Sequence, residues 1–133
     1  MRSQFIHQIR GERVILDSDL ARIYGVTTKR LNEQVKRNAE RFPEDFAFKL
    51  TKDETANLSS QIATLKRGQN IKYLPHAFTE HGAIMAANVL NSKQAVQMSV
   101  FVVRAFIKLR EVLATHKELG VKFAELERRV RNA

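Results

Sequence analysis

Residues 19–38 read DLARIYGVTTKRLNEQVKRN, and the fold turns on how this stretch is read. Two short helical patterns flank a glycine. Asp17 or Ser18 is a candidate cap for the first helix, and Gly25 ends it. Thr27 or Thr28 caps the second, which runs to about Ala39. The spacing meets the needs of a helix-turn-helix. Ala21 is small where the second helix must cross. Gly25, four residues later, takes positive φ at low cost. Val26 follows, and Leu31 and Val35 anchor the second helix at i, i+4. The ordinary pattern places the last anchor three residues after the first, where this chain has Gln34. A slightly rotated docking is therefore expected.

With Leu31 and Val35 facing inward, Lys29, Glu33 and Lys36 face outward. Arg30 and Arg37 flank one side and Asn32 the other. Thr28, Lys29 and Asn32 sit near the helix N-terminus, where recognition helices reach base edges. Arg and Lys donate to guanine, and Asn pairs bidentately with adenine. Lys36, Arg37 and Arg41 lie later and suit phosphates. Thr28, Lys29, Arg30, Asn32, Lys36, Arg37 and Arg41 are thus the candidate DNA-binding residues. The plainer alternative is a solvated face, with Glu33 balancing Lys29 and Arg37. Against it, Arg22, Lys29, Arg30, Lys36, Arg37 and Arg41 outnumber Glu33 and Glu40 over residues 22–41.

The whole chain has the same bias. Its 133 residues carry 23 Lys plus Arg against 14 Asp plus Glu, a formal charge of +9. Such an excess favours a polyanionic partner, nucleic acid before membrane. At 44% apolar the chain has enough material for a core. It has no cysteine, hence no disulfide and no thiolate zinc site. The N-terminus lacks an apolar signal core. The most apolar stretch, Val100 to Leu109, is broken by Arg104 and Lys108 and is too short to span a bilayer. A cytoplasmic protein without a membrane partner is expected.

Chemistry that needs a built site is not indicated. His76 and His81 are five residues apart around Glu80, which is not the i, i+4 pair that binds zinc from one helical face. The glycines are scattered rather than gathered into a phosphate-cradling loop, and no serine sits in a G-x-S-x-G elbow. Glu44 and Asp45 follow Pro43 and read as turn residues. No metal, cofactor or catalytic activity is expected.

Outward from the helical pair, FIHQIRGERVIL predicts a short hairpin, Phe5–Ile9 and Val14–Leu16, with Gly11 in the turn. RFPEDFAFKL predicts a turn at Pro43 and a strand with Phe46 and Phe48 on one face. Thr51 and Glu54 form a capping box. The helix it opens places Leu58, Ile62 and Leu65 together, and KRGQN then reads as a loop. IKYLPHAF reads as a strand whose Pro75 belongs at an edge or bulge. Thr79 caps a helix whose Gly82, Ala83, Ala86 and Ala87 allow close packing. A long helix starts near Ser92. The class is α+β: mainly helical, with a helix-turn-helix-like unit, a small antiparallel sheet of short strands and a long C-terminal helix.

That last helix has a wide apolar arc from Lys93 to Leu113, with a narrow polar stripe of Lys93, Gln97, Arg104, Lys108 and Glu111. Such a helix needs cover on two sides. Val102, Ala105, Leu109, Val112, His116, Leu119, Phe123, Leu126 and Val130 recur at three, four, three, four, the spacing of a coiled coil. Gly120 weakens it by about 1 kcal/mol. A homodimer is expected, with Val102, Leu109, Val112, Leu119, Phe123, Leu126 and Val130 in the seam. The alternative is a core helix with a frayed tail. The repeat stops mid-heptad, as in a piece of a longer protein.

The blocks IRGERVILDSDLARIYGVTTKRLNEQVKRNAERFPEDFAFKLTKDE and YLPHAFTEHGAIMAANVLNSKQAVQMSVFVVRAFIKLRE resemble the ORF6N domain of phages and bacteria. DLARIYGV, VKRNAERFPEDF, LPHAFTEHG and VRAF carry the likeness, in order and spacing. The family is similar to the KilA-N and Bro-N domains of phage antirepressors. The resemblance implies a DNA-binding module of a transcription regulator, often followed by a coiled coil or second domain, and no catalysis. It supplies no DNA-contacting residues, so the candidates above rest on helix geometry. Two units are expected: an ORF6N-like domain over 1–111 and a dimerisation helix over 112–133. The expected function is a dimeric, duplex-DNA-binding regulator of phage type. The alternative is an antirepressor module that binds a repressor protein and no DNA.

Overall fold

The computed structural model of the chain describes residues 5–61 and 73–132. The expected hairpin forms. Strand β1 (Ile6–Ile9) pairs antiparallel with β2 (Glu12–Leu16), with Ile9 opposite Glu12. Two residues therefore make the turn, and both Arg10 (φ 58°) and Gly11 (φ 74°) are left-handed. Tight hairpins favour this conformation because its twist matches that of the strands. Arg10 is held there by its own side chain. The guanidinium donates to Glu54 at 2.7 Å and lies 4.2 Å from the centre of the Phe48 ring.

Helix α1 (Asp17–Tyr24) follows at once. Its N-cap is Leu16, which offers no side-chain bond, so neither Asp17 nor Ser18 caps it. Gly25 ends it in the left-handed conformation, φ 75°. The Thr27 side chain accepts from the Arg30 N–H and opens α2 (Thr28–Arg37). Ala21 and Leu31 are buried, and Val35 packs against the same core. The helix-turn-helix anchors thus sit as the sequence requires.

After a 3-10 turn at Ala39–Arg41 comes β3 (Ala47–Lys49). Thr51 and Glu54 bond reciprocally at 2.8 and 3.1 Å and start α3 (Lys52–Gln61), where Leu58 is buried. The expected places of Ile62, Leu65 and KRGQN lie outside the described residues. Strand β4 (His76–Phe78) pairs with both β2 and β3, giving the order β1-β2-β4-β3. The expected strand from Ile71 is thus shorter among the described residues. It is also central rather than an edge. Pro75 stands just before it, where its missing N–H breaks no ladder bond, and its carbonyl accepts from Leu50 at 2.9 Å.

Thr79 caps α4 (Glu80–Leu90). Gly82, Ala83, Ala86 and Ala87 are all buried. A Cβ on Gly82 would collide with the Phe46 carbonyl oxygen, so the small residue there is a steric requirement. Tyr24 reaches across the core to donate to the Ala83 carbonyl at 2.8 Å, and its burial raises its phenol pKa.

Helix α5 (Lys93–Asn132) is 40 residues long, about 60 Å at 1.5 Å per residue. Ala95, Val102 and Phe106 are buried against the domain, with Met98 beside them. From Val112 to Asn132 only Leu113 is even half-buried. No helix among the described residues is long and apolar enough to cross a membrane.

Candidate nucleic-acid interface

Helix α2 is held on two flanks. Leu31 and Val35 face the core shared with α1 and α4, and the C-terminal Asn38 side chain donates back to the Gln34 carbonyl at 2.8 Å. That leaves Lys29, Arg30, Glu33, Lys36 and Arg37 exposed. Thr28 is half-buried. Among the described residues Lys29, Arg30, Lys36 and Arg37 form no ion pair, with Glu33 or with any other acid. The helix therefore presents four cations and one acid, Glu33, on its outward face, none of them in an ion pair among the described residues. Arg22, by contrast, pairs with Asp19 at 3.5 Å. Arg41 lies beyond the helix and donates to the Asn88 side chain at 3.0 Å, which fixes it beside α4.

Asn32 sits differently from its expected place at base edges. Its Nδ2 donates to Asp17 Oδ2 at 3.0 Å, and its Oδ1 is buried. A side chain committed in this way has no bidentate face for adenine. The outward set is better drawn without it.

Asp17 is the residue that sequence reasoning missed. It is fully buried, and its Oδ2 accepts from Asn32, from the Tyr73 hydroxyl at 2.6 Å and from the His76 backbone N–H at 3.1 Å. The His76 ring Nδ1 lies 3.8 Å away. Burial pushes the carboxyl pKa up, but hydrogen bonds from His76, Tyr73 and Asn32 outweigh it and hold the pKa below the ordinary value. Burial and the Asp17 charge together push the Tyr73 phenol up. An acid immediately after the hairpin reads in sequence as a cap. Its partners 15, 56 and 59 residues away leave no local trace.

The turn before α2 has a second support. Gln94, at the start of α5, donates to the Ile23 carbonyl at 3.3 Å and fills the space where a Gly25 Cβ would stand. The long helix thus braces the turn that aims α2.

The expected seam divides in two. Val102 is 1% exposed and belongs to the core of its own chain, so it has no surface left for a partner. A core stripe and a heptad share positions over two turns, which is why the spacing alone misassigns it. Leu109 is half-buried. Val112, Leu119, Phe123, Leu126 and Val130 are between 40% and 71% exposed and line one side of the projecting helix.

His81 is exposed and stacks on Phe46, with ring centres 5.7 Å apart. Among the described residues no cluster of three or more His, Cys, Asp or Glu is arranged to hold a metal.

Residues 4–89 match the family model of the ORF6N domain, ending inside α4. No curated protein and no solved structure matches the chain.

Proposed function

The chain belongs to the ORF6N family, and from that premise we propose a sequence-specific, duplex-DNA-binding regulator of phage or prophage type, acting in the cytoplasm as a homodimer. The observation that carries the proposal is the outward face of α2, where Lys29, Arg30, Lys36 and Arg37 have no acidic partner among the described residues. Clustered cations in net excess on one helix raise the local potential and draw in phosphates. Thr28, Lys29 and Arg30, at the helix N-terminus, are assigned to base edges. Lys36, Arg37 and Arg41 are assigned to the backbone, which sets register without reading sequence. The dimer is assigned to the projecting half of α5, since a two-fold axis offers two helices to a palindromic site. No catalytic step enters the proposal.

The test is binding to random and selected duplexes across a salt series. With about five phosphates neutralised, log K should fall against log salt with a slope of about −4 to −5. Binding indifferent to salt, or none at low salt, rejects the proposal.

A second reading rests on a different observation. Val96, Val100 and Ile107 are 39% to 51% exposed and lie on α5 away from its buried residues. An antirepressor that docks a repressor protein would use such a face. Loss of repressor binding on Val100→Asp, with duplex binding retained, would favour it.

A further inference from the structure

Helix α5 runs unbroken from Lys93 to Asn132, and the seam on its projecting half has flanks of a definite charge pattern. Leu109, His116, Phe123 and Val130 take the a positions of its heptads, and Val112, Leu119 and Leu126 the d positions. The g positions beside them carry Lys108, Thr115, Lys122 and Arg129. The e positions carry Leu113, Gly120 and Glu127. Every charge at g is thus a cation, and the one charge at e is an acid. Lys122 and Glu127 are both exposed, and among the described residues neither forms an ion pair within its own chain. His116 is exposed as well and is the one polar member of the seam.

We propose that a second copy of the chain covers this face in parallel and in register, with Lys122 of each chain against the partner's Glu127 and His116 against the partner's His116. This rests on the homodimer reading and gives that dimer its direction. Two observations select it independently. In a parallel pair each g residue meets the e residue of the partner's next heptad, which sets Lys122 against the partner's Glu127 twice by symmetry. In an antiparallel pair g meets g and e meets e. No such register forms an ion pair here, because g holds only cations, and some set Lys108, Lys122 or Arg129 against one another. His116 is the second observation. A parallel pair in register brings equal a positions together. A neutral imidazole has one N–H and one bare nitrogen, so the two rings complete a hydrogen bond across the axis. A shifted or antiparallel pair sets each ring against an apolar side chain and leaves its polar atoms unmet on burial. The parallel direction also stands both helix-turn-helix units at one end of the coil, where two α2 faces can reach one duplex.

The chain has no cysteine, so single introduced cysteines report which residues meet. Val112→Cys and Leu126→Cys, made separately in the whole chain, lie on exposed positions outside the buried core. Light scattering gives the mass, and mild oxidation gives the links. A mass of two chains, with each variant linking to its own kind, is expected. The two positions are about 21 Å apart along the helix. An antiparallel pair that brings one position to its own copy therefore holds the other two copies about 42 Å apart. A mass of two chains with only one self-link, with neither, or with links only in a mixture of the two variants overturns the parallel pair and leaves the homodimer standing. A mass of one chain, or of more than two, overturns both. Sedimentation at low salt reads the flanking charges. Glu127→Lys should weaken the dimer by about tenfold, and adding Lys122→Glu should restore it to within about threefold. A dissociation constant that ignores Glu127→Lys, or that the second change does not restore, overturns the proposal.

Discussion

Asn32 Nδ2 lies 3.0 Å from Asp17 Oδ2, and this bond ties the middle of α2 to the first residue of α1. The two helices of the helix-turn-helix are thereby joined through a buried carboxylate as well as through Ala21 and Leu31. Asn32 shapes the presentation of α2 from behind.

Asn32→Ala should therefore act on stability before specificity. It removes a donor from a buried carboxylate, at a cost of about 1–3 kcal/mol. Urea unfolding should show that loss, and DNA affinity should fall alike for all duplexes. Unchanged stability with relaxed preference at one base pair would return Asn32 to the base edges.

Within the outward face the roles should divide along the helix. Lys29→Ala and Arg30→Ala should relax preference at a base position by about 1–3 kcal/mol. Lys36→Ala and Arg37→Ala should weaken all duplexes alike and shallow the salt slope by about one each. Binding to a panel of single-substitution duplexes at two salt concentrations reads both effects. Uniform loss from all four changes would reduce α2 to a backbone contact.

The Asp17 carboxyl has a lower pKa folded than unfolded. Its contribution is therefore present above the ordinary carboxylate pKa and lost as pH falls through that range toward the folded value. Asp17→Asn should cost about 1–3 kcal/mol at pH 7 and progressively less below about pH 4. Asp19, whose pKa burial raises, works in the opposite sense, so the comparison is made between the variant and the parent chain. An Asp17→Asn penalty that does not shrink in acid would place the carboxyl outside the titrating set.

Two glycines should resist alanine for different reasons. At Gly82 the methyl meets backbone, the Phe46 carbonyl, which cannot rotate away; a loss of about 2–3 kcal/mol is expected. At Gly25 the left-handed φ costs about 1–2 kcal/mol. There the methyl also displaces the flexible Gln94 side chain. Denaturant midpoints rank the two, and a Gly82→Ala chain as stable as its parent would show that α4 shifts freely off β3.

The projecting half of α5 leaves Leu119, Phe123, Leu126 and Val130 more than half exposed. Pairing buries them, and each Leu or Phe is worth about 1.5–3 kcal/mol. Light scattering at about 100 μM should give the mass of two chains, because a seam of this length implies a dissociation constant well below that. Leu119→Asp with Leu126→Asp should give one chain and weaker binding to a palindromic duplex. A single-chain mass for the unmutated protein rejects the dimer.

Local signals were legible in the sequence wherever one element carries its own instruction. Gly11 and the strands around it, Thr27 before its helix, Thr51 with Glu54, Thr79, and the small face of α4 each depend on near neighbours. Asp17 was illegible for the opposite reason. An acid after a strand looks like a cap, and only the meeting of α1, α2 and the approach to β4 shows it as a hub. Pro75 suggested an edge because a strand drawn through it would lose a bond, whereas the strand begins one residue later. Val102 satisfied both a core stripe and a heptad, and periodicity over two turns cannot separate them. The outward charges of α2 were legible residue by residue; that Glu33 forms no ion pair with them was not.

The central position of β4 has a consequence for how the chain is made. During synthesis β1, β2 and both helices of the helix-turn-helix emerge well before residue 78. Until then β2 has only β1 beside it, β3 has no neighbour, and Asp17 lacks both Tyr73 and the His76 N–H. The hairpin and the two helices are local and form early, but none can be locked until the closing strand arrives from some sixty residues away. A nascent chain halted at residue 72 should thus display α2 to protease, and one extended past α4 should protect it.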